Sequence, residues 1–182
     1  MSVLGELQPN KVFKYFEEIC SIPHGSRNLQ QISDYLVDFA KAHELKYRQD
    51  EDLNVIIWKD GSKGYEASEP VILQGHMDMV AVKEADCDKD MEKEGLDLEI
   101  NGDYISAKGT SLGGDDGIAV AYTLAVLDDE EMAHPPIEAI FTVNEEIGML
   151  GAATIDVSDL KGRLFMNMDS EDEGVFTVSC AG

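Results

Sequence analysis

The sequence predicts an α/β sandwich around a mostly parallel, mixed sheet, and three observations lead there. Short runs rich in β-branched residues, "LNVIIW", "PVILQGH", "IEAIFTVN" and "RLFMNMD", are bounded by turn signals and fit buried strands. Helical segments separate them, which favours parallel pairing through crossovers. Acidic residues cluster where the strands end and the helices begin, the edge at which such sheets bind ligands.

Each element has its own signal. A first, less regular helix runs through "NKVFKYFEEI". In "NLQQISDYLVDFAKAHEL" the apolar residues Leu29, Ile32, Leu36 and Phe39 recur at steps of three and four, an amphipathic helix entered from "PHGSRN". The strands "LNVIIW" and "PVILQGH" follow. After a charged interval, "KEADCDKDMEKEG", the alternation in "LDLEINGDYISAKG" predicts a hairpin turning at Asn101-Gly102. "GIAVAYTLAVL" is rich in small residues and packs as a buried helix, and "IEAIFTVN" and "RLFMNMD" are two more buried strands.

Composition limits what this fold can do. A chain of 182 residues that is 43% hydrophobic supports one domain with a real core. Its 37 acidic residues against 14 basic ones give a formal charge of -23. Such a chain repels phosphate backbones and anionic lipid, so nucleic acid and membrane partners are disfavoured. "MSVLGELQPNKVF" lacks a basic segment followed by an apolar stretch, and a cytoplasmic protein is expected. Cys20, Cys87 and Cys180 are odd in number, far apart and free of any C-x-x-C, so neither a disulfide framework nor a thiolate zinc site is expected. A metal here has to use histidine and carboxylates.

The strand ends supply those groups. Strand side chains alternate, so His76 and Asp78 of "ILQGHMDMV" point the same way and Met77 points opposite. Asp115 and Asp116 stand in "LGGDDG" before the small-residue helix, Glu145 and Glu146 follow "AIFTVN", and Asp169 follows "RLFMNM". Singly, each has a structural reading: a hydrogen-bonded strand-end histidine, an N-cap, a solvated face. Together, several carboxylates at one edge repel strongly unless cations sit among them. A pair of divalent metals removes the conflict, and zinc suits an imidazole-carboxylate set with an open position for water. Two ions about 3.5–4 Å apart, sharing a carboxylate, activate water and polarise a carbonyl, which is hydrolase chemistry. One of Glu145 and Glu146 can bind metal while its neighbour takes the proton from water. Asp78 fits the role of orienting the His76 imidazole. A calcium loop is the competing motif: "DCDKDMEKEGLDLE" opens D-x-D-x-D at Asp86, but Met91 stands where the turn needs glycine and Asp97 where the loop needs glutamate.

"GHMDMV", "GTSLGGDDGIAVA", "TVNEEIGMLGA" and "MNMDSEDEG" together resemble the zinc exopeptidases that include carnosinases, aminoacylases and tripeptidase T, and in particular the aminoacyl-histidine dipeptidases (Xaa-His dipeptidase, peptidase D). The resemblance runs from "FEEICSIPHGS" to "SCAG". It implies a three-layer α/β/α sandwich and hydrolysis of Xaa-His, carnosine-like dipeptides in the cytoplasm by a homodimer with two zinc ions per complete site, cobalt or manganese being substitutes. By the same resemblance His76 and Asp169 hold one zinc, Glu146 holds the other and Asp115 bridges them. Glu145 is then the general base and later acid, Asp78 supports His76, and the Asp115-Asp116 peptide bond is cis. Family members carry a further metal-binding histidine near their C-terminus and an inserted lid or dimerisation domain. None of His24, His43 and His134 lies in a motif that replaces that histidine. The chain is accordingly read as the N-terminal part of a zinc-peptidase catalytic domain, inactive by itself. Asp116 stands where relatives often have Asn and adds a negative charge beside the bridge. An N-acyl amino acid deacylase or a broader di- and tripeptidase is the alternative within the family, and a nonenzymatic scaffold the alternative outside it.

Overall fold

The computed structural model describes residues 2–170 and 174–178; residues 171–173 of the fourth motif and Cys180 lie outside them. Helix α1 (Asn10–Cys20) buries Val12, Tyr15, Phe16 and Ile19, and α2 (Gln30–Ala42) buries Ile32, Leu36 and Phe39, the one-sided pattern that steps of three and four produce. Strand β1 (Lys46–Gln49, "KYRQ") carries no apolar alternation and forms by antiparallel pairing with β2 (Val55–Lys59), Tyr47 opposite Ile57. Strand β3 (Val71–His76) is followed by a two-stranded hairpin, β4 (Leu98–Asn101) and β5 (Tyr104–Ala107). Helix α3 (Gly114–Leu127), strand β6 (Ile137–Thr142), the short α4 (Leu150–Thr154) and β7 (Leu164–Asn167) complete the order.

The expected α/β sandwich is present, with five strands in the order β1-β2-β6-β3-β7. β1, β2 and β6 pair antiparallel, while β3 runs parallel to both β6 and β7. One face of the sheet presents Val55, Ile57, Leu73, Ala139 and Phe141 to the three long helices in the main core. The other presents Ile56, Ile72 and Ile140, against which Trp58, Ile155 and Leu160 pack. Each fully buried side chain of this size contributes about 1.5–3 kcal/mol. Helix α3 lies close on α1 because Gly117 has no side chain: a Cβ there would stand 3.3 Å from the Phe16 ring. Its last carbonyls are met by lysines, Lys59 Nζ on Val126 O at 3.1 Å and Lys11 Nζ on Asp128 O at 3.0 Å, which satisfies groups a helix end leaves open.

Two expectations change, and one alternative falls. The hairpin turn is shifted by one residue: Asn101 pairs with Tyr104, so Gly102 and Asp103 are the turn, with Gly102 at φ 64°. Glycine takes the positive φ at no steric cost, and Asn101 is left to the strand. β7 is an edge and not a buried strand, with Leu164 59%, Phe165 53% and Met166 39% exposed, because among the described residues no strand lies beyond it. The calcium reading fails on its frame. Asp86–Asp97 connects β3 to the hairpin with no helix on either side, and its acids meet lysines of the same segment, Asp90 with Lys93 at 2.8 Å and Asp97 with Lys89 at 3.1 Å. Cys20 and Cys87 are free, and burial pushes the Cys20 thiol up to about 12. No helix among the described residues is long and apolar enough to cross a membrane.

The N-terminal segment is fastened by one carboxylate. Glu17 accepts hydrogen bonds from Ser2 Oγ at 2.5 Å and from the Val3 and Leu4 amides at 2.6 and 3.2 Å, holding the fully buried Leu4 in the core. Burial alone would raise the Glu17 pKa; the three hydrogen bonds outweigh it and leave the group below the ordinary carboxylate range. Stabilisation from a depressed carboxylate is complete above the ordinary value and disappears as pH falls through the folded value. Glu17→Gln is therefore expected to cost about 1 kcal/mol in urea unfolding at neutral pH. The gap from wild type should close below the ordinary carboxylate range. A gap that persists there would contradict the assignment.

Candidate metal centre

The parallel half of the sheet brings the strand ends together. β3 ends in His76, pairing Gly75 with Phe141 and His76 with Thr142, while Gln74 pairs with Asn167 of β7. The chain leaving each strand thus delivers His76 and Asp78, then Asn144, Glu145 and Glu146, then Asp169 to the same edge. Asp115 and Asp116 arrive from the mouth of α3. Its first residues are not helical: Gly113 has φ 68°, Asp115 lies at φ -82°, ψ 110°, and the Asp115-Asp116 bond is cis as expected. A side chain on Gly113 would enter Met79, its Cβ 2.9 Å from Sδ.

The carboxylates and the imidazole form two overlapping groups. His76, Asp115 and Glu146 offer ligand atoms within 4.8 Å of one another, as do Asp115, Asp116 and Asp169, so Asp115 is common to both. Glu145 belongs to neither; its Oε2 lies 3.9 Å from His76 Nε2. Asp116 is the unexpected member, buried at 2% exposure with Oδ2 accepting the His76 amide at 3.1 Å. Gly75 makes room for it, since a Cβ there would stand 2.8 Å from that oxygen. Asp116 thus ties the start of α3 to the end of β3.

His76 is 1% exposed, with both ring nitrogens engaged. Nδ1 meets the Asp78 backbone carbonyl at 2.9 Å, while the Asp78 carboxylate stands 3.6 Å away. The support expected from the Asp78 side chain thus comes first from its backbone. The carboxylate is used elsewhere: Oδ1 accepts the Glu145 amide at 2.9 Å and Oδ2 accepts the Ser26 hydroxyl at 2.7 Å. On the other side His76 Nε2 lies 3.0 Å from Asp115 Oδ1.

Crowding sets the protonation states. Burial would lower the His76 pKa, but Asp78, Asp116 and Asp169 outweigh it and push the imidazole up to about 9. Burial raises Asp116 to about 8, with Asp169 and Asp115 adding against His76. Burial thus favours the protonated form of Asp116 and works against the negative charge expected beside the bridge. Burial and the Asp115 charge also raise Glu146 and Asp169. Asp78 goes the other way: burial would raise it, and His76, the Glu145 amide and the Ser26 hydroxyl hold it low. Protons are thus retained on acids and imidazole where a cation would relieve the same charge. This donor set fits a divalent metal.

Two participants were not singled out in the sequence. Ser26 belongs to the loop "IPHGS", which crosses beneath the strand end: the Met79 amide donates to His24 O at 3.2 Å and the Ser26 amide to Met79 O at 3.2 Å. Asn144, at φ 54°, accepts the Arg27 amide on Oδ1 at 2.8 Å. A polar residue that tolerates positive φ directly after a buried strand was the available signal for Asn144; Ser26 had none. A cavity of about 910 Å³ lies beyond Ser26, bounded by Arg27, Lys83 and Met91, and none of the clustered ligand residues lines it. The other histidines are taken up in structure: His24 and His134 are buried on backbone carbonyls and His43 packs on Phe39.

Known peptidases resemble the chain in sequence and fold. The chain is 40% identical, over all 182 of its residues, to a cytosol non-specific dipeptidase of Escherichia coli, of which it spans 38%. The solved structure of an aminoacylhistidine dipeptidase from Vibrio alginolyticus superposes on 94% of the chain with a TM-score of 0.91 at 40% identity, and the match takes in 35% of that protein. A tripeptidase from Staphylococcus aureus shares the fold, with a TM-score of 0.74 at 23% identity over 92% of the chain and 45% of its own. No family model matches. The resemblance read from the four motifs therefore holds along the whole chain, and the chain is similar to the aminoacyl-histidine dipeptidases. It spans less than two fifths of the length of the dipeptidase relatives it matches.

The bonds of Asp78 yield a direct test. Asp78→Ala removes both acceptor oxygens, so the Glu145 amide and the Ser26 hydroxyl both lose their partner. The expected result is an upfield shift of the Glu145 amide proton in the metal-free chain, with signals of β1 and β2 unmoved. An unchanged Glu145 resonance would show that the carboxylate does not hold that backbone.

Proposed function

We propose that the protein to which this chain belongs is a cytoplasmic zinc metallopeptidase that hydrolyses Xaa-His, carnosine-like dipeptides, and that this chain supplies the N-terminal part of its catalytic domain. The observation that carries the reading is the meeting of His76, Asp115, Glu146 and Asp169 in two ligand groups that share Asp115. The names of the two relatives at 40% identity support dipeptide hydrolysis, and that of the Vibrio protein supports the Xaa-His preference. The word cytosol in the Escherichia coli name supports the location.

In this reading His76 and Asp169 would hold one zinc and Glu146 the other, with Asp115 shared. The metal-free groups set His76 beside Glu146 and Asp169 beside Asp116, so the pairing of His76 with Asp169 rests on the family resemblance and the sharing of Asp115 on the geometry. When bound, the ions supply Lewis acidity toward a peptide carbonyl and bring the pKa of a water near neutrality. The chain's own groups do the rest. The Asp78 carbonyl keeps the His76 proton on Nδ1, leaving Nε2 to face the centre. Glu145, outside both ligand groups and fixed at its backbone by Asp78, takes the proton of the attacking water and returns it to the leaving amine. Its neighbour Glu146 stays a ligand.

A broader dipeptidase is the second reading, favoured by the non-specific activity in the name of the Escherichia coli relative. A dipeptide panel on the full-length protein separates the two, and N-acetyl amino acids test the deacylase alternative.

Zinc titration of the purified chain tests the site itself. His76→Ala is expected to weaken zinc binding by about 100-fold or more, because it removes an imidazole ligand that carboxylates alone do not replace. Glu145→Ala is expected to leave zinc affinity within about threefold of wild type while reducing turnover in the full-length protein by about 100-fold or more. If Glu145→Ala empties the site, the roles of the two glutamates are exchanged.

A further inference from the structure

Glu138 is a buried carboxylate that the metal centre does not use. It sits in β6, 3% exposed, opposite Trp58 on one side and Ile72 on the other. A carboxylate among such neighbours is costly unless its oxygens are fully bonded. Its partners are all backbone: the Lys161 amide stands 3.0 Å from both oxygens, and the Gly162 amide donates to Oε2 at 2.9 Å. Two successive amides aimed at one anion make a small backbone nest. Gly162 is pressed against the sheet, where a Cβ would stand 2.8 Å from Pro70 O and 2.9 Å from Ile72 Cγ1. β7 begins two residues later.

β7 has little else to fix its register. Its side chains are exposed and, among the described residues, it pairs only with β3. Hydrophobic burial normally specifies register, because a slip of one residue turns every side chain to the opposite face. Met168, one residue past the strand, packs against the main core, and two polar ties add to that single apolar anchor. Glu138 holds the entry, and at the exit Asn167 Nδ2 donates to Gln74 Oε1 at 2.7 Å, with Gln74 Nε2 donating in turn to Thr142 Oγ1 at 3.2 Å. Asp169 follows the exit by two residues and reaches Asp115 and Asp116 only in this register. One step of slip moves it about 3.3 Å and reverses its face.

We propose that Glu138 is a positioning residue for the metal centre: by binding the Lys161 and Gly162 amides it sets the register of β7 on β3 and so delivers Asp169 to Asp115 and Asp116. This rests on the reading of Asp169 as a ligand, and the experiment separates the two.

The variant is Glu138→Gln, which keeps one acceptor and turns an amide group against the other donor. Gly162→Ala attacks the same clamp from the amide side, keeping the carboxylate but setting a Cβ 2.8 Å from Pro70 O and 3.2 Å from Glu138 Oε2. In the metal-free chain, hydrogen exchange at the β7 amides is expected to quicken at least tenfold in each variant, with β2 and β6 unchanged. Unchanged β7 protection, or equal acceleration in every strand, would overturn the proposal, the second by showing an ordinary core residue. The second measurement is zinc affinity in a double-mutant cycle with Asp169→Asn. Glu138→Gln is expected to weaken binding at least tenfold in the wild-type background and not further once Asp169 is gone. Independent, additive losses would overturn the link to Asp169. A wild-type chain that takes up no zinc would instead overturn the metal reading, and the exchange data would still decide the register claim.

Discussion

Parallel pairing of β3 with both of its neighbours is the constraint on which this molecule depends. Parallel strands share a direction, so the chains leaving β3, β6 and β7 emerge at one edge of the sheet, and the residues they carry meet there. With β6 or β7 reversed, its acidic residues would lie at the far end of the strand, roughly 20 Å away for six residues. The pairing is itself conditional on small residues. Gly75 admits the Asp116 carboxylate against the β3 backbone, and Gly117 lets α3 settle on α1, which brings the mouth of that helix, with Asp115, over the strand end.

That convergence creates an electrostatic conflict, which the metal-free fold accommodates with protons and amides. Asp78, whose two oxygens hold the Glu145 amide and the Ser26 hydroxyl, is kept below the ordinary carboxylate range. The acids packed among other carboxylates, Asp116, Glu146 and Asp169, hold their protons to higher pH. Asp78 is the hinge of the arrangement. Its carbonyl orients His76 and its carboxylate fixes the backbone of Glu145, so one residue aligns the imidazole and the neighbouring acid. The loop through His24 and Ser26 holds this residue from behind, joining the N-terminal helices to the strand edge.

The two flanks of the site are built differently. On the β6 side the strand is buried on both faces, and its end is pinned by Asn54, itself 1% exposed, whose Oδ1 accepts the Val143 amide at 3.1 Å. On the β7 side the strand is an exposed edge tied by polar side chains. Glu145 and Glu146 thus stand on a rigid mount, and Asp169 on one whose position depends on a few hydrogen bonds.

The sequence by itself determined the elements and the chemistry of the edge. Periodicity marked α2, β-branched runs marked β2, β3 and β6, and the acids and histidine at element boundaries, His76, Asp115, Glu145, Glu146 and Asp169, named the groups that meet, because local pattern reports which residues a strand or helix buries and which stand at its ends. The same locality set the limits of the reading. β1 has no pattern of its own and exists because β2 offers an edge. β7 is as apolar as a buried strand, and only the strand order shows it uncovered. The burial of Asp116, the Ser26 hydroxyl on Asp78 and the Glu138 clamp join residues 40, 52 and 23 positions apart. Such contacts depend on where whole elements come to rest, through close approaches at Gly75 and Gly162 that no local pattern encodes. Tertiary structure alone decided them.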